Sequence, residues 1–516
     1  MPVENDGIDE YIKIASLSLN ISKAEIKFLK ILSKSLDARG KRQFYYEMSI
    51  VVSLPDNFAN KGNLPVYTEK IKAEIKPVRP KDRPIIIGFG PAGIFAALEL
   101  IDHGIKPIIF ERGKKIEERG IDVGKFINER TLDTESNIQF GEGGAGSYSD
   151  GKLFSRIKNS DYIDRVLDTF IKFGAPKEIG YISKPHLGTD VLSKIVVNMR
   201  NYILEHGGEI HYSSKMTDIL AADGKLSGVV INGEKEYLSS VVYLAVGHSA
   251  RDTFELLHGR NVAVDQKPIA VGARIEHPAE IINFIRYGKK YKDFSGIGAA
   301  NYSFTHADRK NGRGIYTFCM CPGGEVLNAS SENGLLVVNG MSCSTRSSAF
   351  SSAAVVVTCT TADYGSTHPL AGIEFQRDIE RKAFKAGGEN WKVPAQNLMD
   401  FLAGRLSSAL NVNSCKTGSN ASDMKEIFPK FVLESFFSAF NKWKEDYPLF
   451  VSKHGILLGA ETRTSCPVRL RRGENYESIN LKNLYPIGEG SGYAGGITSS
   501  AADAIKAVEA YVALCG

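Results

Sequence analysis

Apolar and polar positions change their period several times along this chain. Residues 11–19 alternate apolar with polar side chains and read as a strand. Ser22-Lys-Ala-Glu25 has the form of a capping box, and the pattern after it predicts an amphipathic helix over 23–36. Residues 43–53, QFYYEMSIVVS, are aromatic and β-branched and predict a returning strand. Together these form a small α+β module. Residues 55–83 carry Pro, Asn, Lys and Gly with no period, which predicts a linker.

The pattern changes at Pro84. Ile85-Ile86-Ile87 is a short buried strand, followed by a glycine turn and a helix over about 92–103. A second strand spans 106–110. Strand, turn, helix and strand with short connections make the parallel unit of a doubly wound sheet. Helices follow near 161–173 and 188–206. Residues 209–232 read as strand–turn–strand around Asp223-Gly224, and 241–247 as a strand. Residues 262–370 read as mostly β and 371–446 as helical. Residues 481–515 return to strand, glycine loop and helix. The predicted fold is α/β, with a doubly wound, Rossmann-like nucleotide domain assembled from 80–260 and 455–516. A β-rich and helical substrate domain, 261–454, is inserted in it, and 1–79 is the N-terminal module with its linker.

The glycine turn carries chemistry. Gly88-x-Gly90-x-x-Gly93 follows an apolar strand and opens a helix, and Glu111 ends the next strand eighteen residues beyond Gly93. The first glycine permits the tight turn. The second lets backbone approach a pyrophosphate, and the third lets helix pack on strand. The helix N-terminus offers free N–H groups and partial positive charge. Glu111 is placed to accept from a ribose hydroxyl and disfavours a 2′-phosphate there, although Arg112 follows it. Two more glycine clusters occur, at 140–153 (FGEGGAGSYSDGKL) and at 485–498 (YPIGEGSGYAGGIT). An extended FAD needs several such loops. Glu489 could hold a ribityl hydroxyl, and the Gly495-Gly496 turn could aim N–H groups at the flavin edge.

Glycine is enriched: 50 of 516 residues, about 10% against a usual ~7%. Net charge is only +5, which argues against a dedicated nucleic-acid binder. No apolar run approaches the roughly 18 residues of a membrane span. The acidic, polar start MPVENDGIDEYIKIA predicts no secretory leader. The seven cysteines contain no CxxC and read as reduced thiols. A soluble cytoplasmic protein is expected.

VVYLAVGH at 241–248 and LYPIGEG at 484–490 resemble the strand-end and ribityl motifs of the glutathione-reductase-like FAD superfamily. With FGEGGAGSYSDGKL, AVGARIEHPAE at 270–280, YTFCMCPGGEV at 316–326 and GEGSGYAGGITSSAADAIKA at 488–507, the chain resembles an uncharacterised group of bacterial FAD-dependent dehydrogenases over about 10–516. The resemblance implies that Gly88, Gly90, Pro91, Ala92, Gly93, Glu111, Arg112, Gly247, Gly488 and Glu489 contact non-covalently bound FAD. It implies that Ser149, Asp150, Lys152, Gly495, Gly496, Ile497 and Thr498 lie near the flavin. The expected activity is an FAD-dependent oxidoreductase acting on a small molecule, with NAD(P)H at most a transient donor. A flavin-dependent RNA-modifying protein and a non-catalytic flavin scaffold are the alternatives.

Other candidates read two ways. Cys319-Met-Cys321 is either a redox pair or two inert core thiols, and no zinc spacing includes it. Lys152 either faces the flavin or is a surface lysine. His248 is either a general acid or a packing residue. Arg469, Arg471 and Arg472 either meet phosphate or form a solvated face.

Overall fold

A computed structural model describes residues 1–40, 42–60, 62–69, 77–153 and 161–515. It is a mixed α/β structure with one parallel sheet and several antiparallel ones.

The N-terminal module reverses the expected order of helix and strand. Residues 11–19 lie in a helix, Ile8–Leu19, which ends at Asn20 in the left-handed conformation. Tyr11-Ile12-Lys13-Ile14 alternates locally, but Ile8, Tyr11, Ile12, Ala15 and Leu19 repeat at helical spacing. The capping box forms, with Ser22 N–H donating to Glu25 Oε2 at 3.1 Å, yet it opens only the single turn Lys23–Glu25. The expected helix over 23–36 is instead the strand Lys27–Asp37, antiparallel to Tyr45–Ser53. Register shifts between Phe28 and Lys30 and between Ile31 and Ser33 break its two-residue alternation, so its apolar positions mimic a helix. Residues 70–76 of the expected linker lie outside the described residues. Its described parts carry neither helix nor strand.

The parallel sheet has the strand order Leu484–Pro486, Val242–Leu244, Ile85–Ile87, Ile108–Phe110, Glu209–His211. Alternation sends Ile86, Ile109, Tyr243 and Tyr485 to one face, where helices Pro91–Asp102, Asp161–Lys172, Gly188–Glu205 and Ile497–Cys515 cover them. Ile85, Ile87, Phe110, Val242 and Leu244 point to the other face. There they meet the helix Arg251–Gly259 and a three-stranded meander over Met216–Ala222, Lys225–Ile231 and Lys235–Leu238. Asp223 and Gly224 form the hairpin turn with φ of 48° and 70°, as an Asp-Gly pair permits.

A seven-stranded sheet stands beside this unit. Its order is Thr305–Asp308, Arg313–Cys321, Phe350–Cys359, Ile269–Pro278, Ile456–Glu461, Val393–Asn397, Ser419–Ala421. Ile456–Glu461 sits inside it, although its place after residue 455 grouped it with the nucleotide domain. Pairing with both Ile269–Pro278 and Val393–Asn397 holds it there. Residues 371–446 are likewise not all helical: Ala371–Ala386 and Lys430–Asp446 are helices, but Val393–Asn397 and Ser419–Ala421 are strands. One sheet face buries Val271, Ala273, Ile275 and Val355 under the helix Lys430–Asp446. The other carries Ala270, Ala354, Val356, Tyr316 and Phe318.

Candidate functional site

Between the glycine loops and the seven-stranded sheet lies a cavity of about 1530 Å³. Ordinary small-molecule pockets occupy about 300–1,000 Å³, so this one has room for an extended ligand and more. Gly88, Gly90, Pro91, Ala92, Glu111, Arg112, Ser149, Asp150, Lys152, Gly247, Glu489, Gly495, Gly496, Ile497 and Thr498 all line it. Gly93 and Gly488 lie outside the lining. A Cβ on Gly93 would sit 2.0 Å from the Gly88 carbonyl oxygen, and one on Gly488 would sit 2.6 Å from Ala92 Cβ. Both glycines serve close packing behind the wall.

The first turn assigns its glycines different duties. Gly88 has φ of 99°, and a Cβ there would meet the Ala245 carbonyl oxygen at 2.5 Å. Gly90 has φ of −84° and ψ of −170°, extended backbone open to any residue. Left-handed backbone is therefore a demand of Gly88 alone. A Cβ on Gly90 would sit 3.5 Å from Gly144 Cα, in the second glycine cluster, an ordinary contact. Gly90 caps the helix Pro91–Asp102, with Pro91 at its first position, so the free N–H groups of that helix face the cavity's end.

Glu111 is buried and ties three loops together. Its carboxylate accepts from the backbone N–H of Phe89 at 2.8 Å and from those of Gly113 and Gly141 at 2.9 Å each. A carboxylate offers about four lone-pair sites, so one remains for a ligand hydroxyl. Arg112 is committed. It donates to both Asp252 oxygens at 2.9 Å and to Glu135 at 2.7 Å, and its guanidinium lies over the Phe140 ring. These two carboxylates spend the charge that would otherwise suit a 2′-phosphate.

Gly247, Gly495 and Gly496 supply a cradle. No atom lies within 4 Å of an added Cβ at any of the three, and Gly247 and Gly496 have φ of 72° and 126°. Beside them the Glu489 carboxyl is pushed up to about 7 by burial, against the pull of Lys267. Lys152 donates to the Met320 carbonyl oxygen and pairs with Asp150 at 3.2 Å. Burial alone would raise Asp150, but Lys152 and Arg346 outweigh it and hold the carboxyl below its usual range. A dinucleotide fits this donor set: helix N–H groups, one unspent carboxylate lone pair, an unspent ammonium N–H and three glycines facing open space.

A protein from Clostridium beijerinckii described as uncharacterised is 43% identical over 520 residues, spanning 98% of this chain and 96% of its own. This chain belongs to that protein's family. Residues 268–464 match the family described as FAD-dependent protein, C-terminal domain-like. The chain thus carries a domain of an FAD-dependent family. Among solved structures, L-amino acid deaminase from Proteus vulgaris is 11% identical, with 87% of this chain and 93% of that one covered and a TM-score of 0.36. Glycerol-3-phosphate dehydrogenase from Bacillus halodurans, complexed with FAD, is 10% identical, with 86% and 65% covered and a TM-score of 0.36.

The remaining candidates divide. Cys319 opens on the cavity from a strand bulge and has φ of 41°, a strained value for a residue with a side chain. It nonetheless lies deep in the protein, and burial pushes its thiol up to about 12. Cys321 is buried, its thiol also pushed up, and its sulfur accepts from Arg274 at 3.1 Å. Neither thiol is poised as a thiolate nucleophile. His248 lines the cavity, with Nδ1 2.9 Å from Ser249 Oγ, and burial with nearby Arg463 and Arg251 drives it down to about 3. It stays neutral. Arg472 is held by Asp503 at 2.5 and 2.9 Å, and Arg469 lies over the Tyr493 ring. Among the described residues no cluster of three or more His, Cys, Asp or Glu could hold a metal ion, and no helix is long and apolar enough to cross a membrane.

Sequence reasoning missed the buried ionic supports. Arg251 and Arg463 both bind Glu380, and Arg463 also donates to Ser249 and Ser331. Arg274 binds Glu461 in the cavity wall. Each partner is distant in sequence, and no local spacing announces it.

Proposed function

We propose that this protein is a flavoenzyme: it holds FAD non-covalently in the cavity and carries out oxidation or reduction of a small molecule there. One observation carries the reading. Fourteen residues chosen from three separate glycine-rich motifs, with Gly247 from a fourth, line one cavity. The match of residues 268–464 to an FAD-dependent family supports it. We read the parallel sheet as the Rossmann-like FAD domain of a glutathione-reductase-like protein, and the seven-stranded sheet as the core of the substrate domain.

The chain's residues take these roles. Glu111 would receive the ribose, and the N-terminus of Pro91–Asp102 the pyrophosphate. Glu489, protonated or ionised near neutrality, would bind a ribityl hydroxyl as donor or acceptor. Gly247, Gly495 and Gly496 leave space where side chains would intrude. Lys152 holds a positive charge at the wall next to Met320, and Asp150 keeps it in place. Bound flavin would supply two-electron redox chemistry, with the protein setting orientation and electrostatics. A nicotinamide donor would bind only in passing.

Anaerobic photoreduction followed by a screen of acceptors tests the reading. Bleaching of the flavin and its re-oxidation by a small organic acceptor are expected. A flavin that no organic acceptor or oxygen re-oxidises would mark a scaffold instead.

A further inference from the structure

The roles above leave the charge of Lys152 without a ligand. Its Nζ donates to the Met320 carbonyl oxygen and lies 3.2 Å from Asp150 Oδ2. An ammonium has three N–H groups, so one remains after these two partners. The Lys152 side chain is 20% exposed, and it lines the cavity together with Asp150, Cys319, Met320 and Glu461. A molecule in the cavity can therefore reach it.

The carboxylates around Lys152 are engaged elsewhere. Asp150 accepts from Arg346 on both oxygens and from the Ser342 hydroxyl. Glu461, whose carboxyl also feels Lys152, accepts from Arg274 at 2.8 and 3.0 Å. Glu276, two residues past Arg274, is bonded to Ser414 and lies outside the cavity lining. In these contacts among the described residues three cations, Lys152, Arg346 and Arg274, face two carboxylates, Asp150 and Glu461. Cys319 and Cys321 bring no negative charge, since burial pushes both thiols up. His186 brings no further positive charge, since burial and Arg346 hold its imidazole down. One positive charge is in surplus, and it is the one with an open N–H.

An oxidised flavin ring is uncharged and would not offset that surplus. An anion entering the cavity would, through a charge-assisted hydrogen bond. One surplus charge and one open donor suit a carboxylate. A doubly charged phosphate would bring a second negative charge into a partly buried place with nothing to offset it. Lys184 lines the cavity too, is exposed, and has no ion pair among the described residues. Water and salt screen its charge, so it draws anions toward the cavity without fixing one.

We propose that the substrate is an organic carboxylate, anchored by its carboxylate on Lys152 Nζ. The proposal rests on the flavoenzyme reading and names its substrate class. Benzoate and benzamide, alike in size and shape and different in charge, are the probes. Each is titrated into the purified protein by calorimetry, with the flavin absorption band and the flavin content recorded on the same sample. Benzoate should bind about 10-fold tighter than benzamide and shift the flavin band. Lys152→Met should weaken benzoate about 10- to 100-fold and leave benzamide within about 3-fold. Lys152→Gln takes its place where Lys152→Met does not fold. Lys152→Arg, which keeps the charge, should keep benzoate ahead. Benzamide binding as tightly as benzoate, no binding of benzoate, or an undiminished preference in Lys152→Met would each overturn the proposal. A wild type without the preference, whose reduction potential falls in Lys152→Met, would assign the charge to the reduced flavin and overturn it as well. The expected preference in a protein that carries no flavin would overturn the flavoenzyme reading and leave the carboxylate site standing.

Discussion

Arg346 donates through Nε to Asp150 Oδ1 at 3.1 Å and through its terminal nitrogen to Oδ2 at 2.5 Å. The pair clamps the second glycine loop, from the parallel-sheet side, to the turn that follows residue 341. Ser342 adds its hydroxyl to the same carboxylate, and Thr189 N–H donates to the Ser342 carbonyl at 3.1 Å. Asp150 is 3% exposed, so its ionised state depends on these partners.

Breaking this clamp should be costly. Arg346→Ala leaves a buried carboxylate short of a partner and should lower stability by about 2–4 kcal/mol. The pH dependence follows from the sign of the shift. Asp150 is held below its ordinary value when folded, so the clamp's stabilisation is fully present above the unfolded value of about 3.9. It is lost as pH falls through the lower folded value. Measured from neutrality down to about pH 3, the gap in urea midpoint between wild type and Arg346→Ala should therefore stay constant at first and begin to narrow below about pH 3.9. A constant difference over that range would contradict the assignment.

The two glycines of the first turn should separate fold from cofactor. Gly88→Ala forces a side chain into left-handed backbone and against the Ala245 carbonyl, so the protein should lose about 2 kcal/mol or more, or fail to accumulate. Gly90→Ala sits in extended backbone with an ordinary 3.5 Å contact, so it should fold. Gly90→Val should fold too but carry little flavin, because its branches reach into the space before the helix N-terminus. The flavin-to-protein absorbance ratio of each purified variant checks this.

Glu489 should make flavin-free protein less stable at alkaline pH. Its folded value, raised by burial to about 7, lies above its unfolded value, so ionisation between the two costs stability as pH rises. Glu489→Gln should gain about 1–3 kcal/mol over wild type at pH of about 8 and little near pH 4. Denaturation of the deflavinated proteins at the two pH values gives the comparison, and an equal gain at both would refute the buried acid.

Cys319 and Cys321 should store no electrons. Burial raises both thiols, and the bulge places one on the cavity and the other against Arg274. Titration of dithionite-reduced protein should return two electrons per flavin. A value of four that falls to two in Cys319→Ser/Cys321→Ser would establish a redox pair.

How much of this was legible in the sequence depends on distance along the chain. Gly88, Gly93 and Glu111 could be read because one short strand–turn–helix–strand unit contains them, and its geometry dictates their types. Asp223-Gly224 was legible for the same reason. The N-terminal helix and strand were exchanged because two bulges in Lys27–Asp37 erased its alternation. Gly90 has backbone angles any residue adopts and only an ordinary contact for an added Cβ, so the fold itself does not call for glycine there. The clamp on Asp150 and the Arg274–Glu461 pair join segments far apart in the chain. Pairing of Ile269–Pro278 with Ile456–Glu461 sets Arg274 beside Glu461, and no local spacing announces it.

The central claim is that one cavity, lined by three glycine-rich motifs, holds non-covalent FAD. Acid precipitation of freshly purified protein, followed by chromatography of the supernatant, tests it most directly. About one FAD per chain should appear in the supernatant, and the pellet should be colourless. Release of FMN alone, flavin retained in the pellet, or protein that neither carries nor takes up FAD would contradict it.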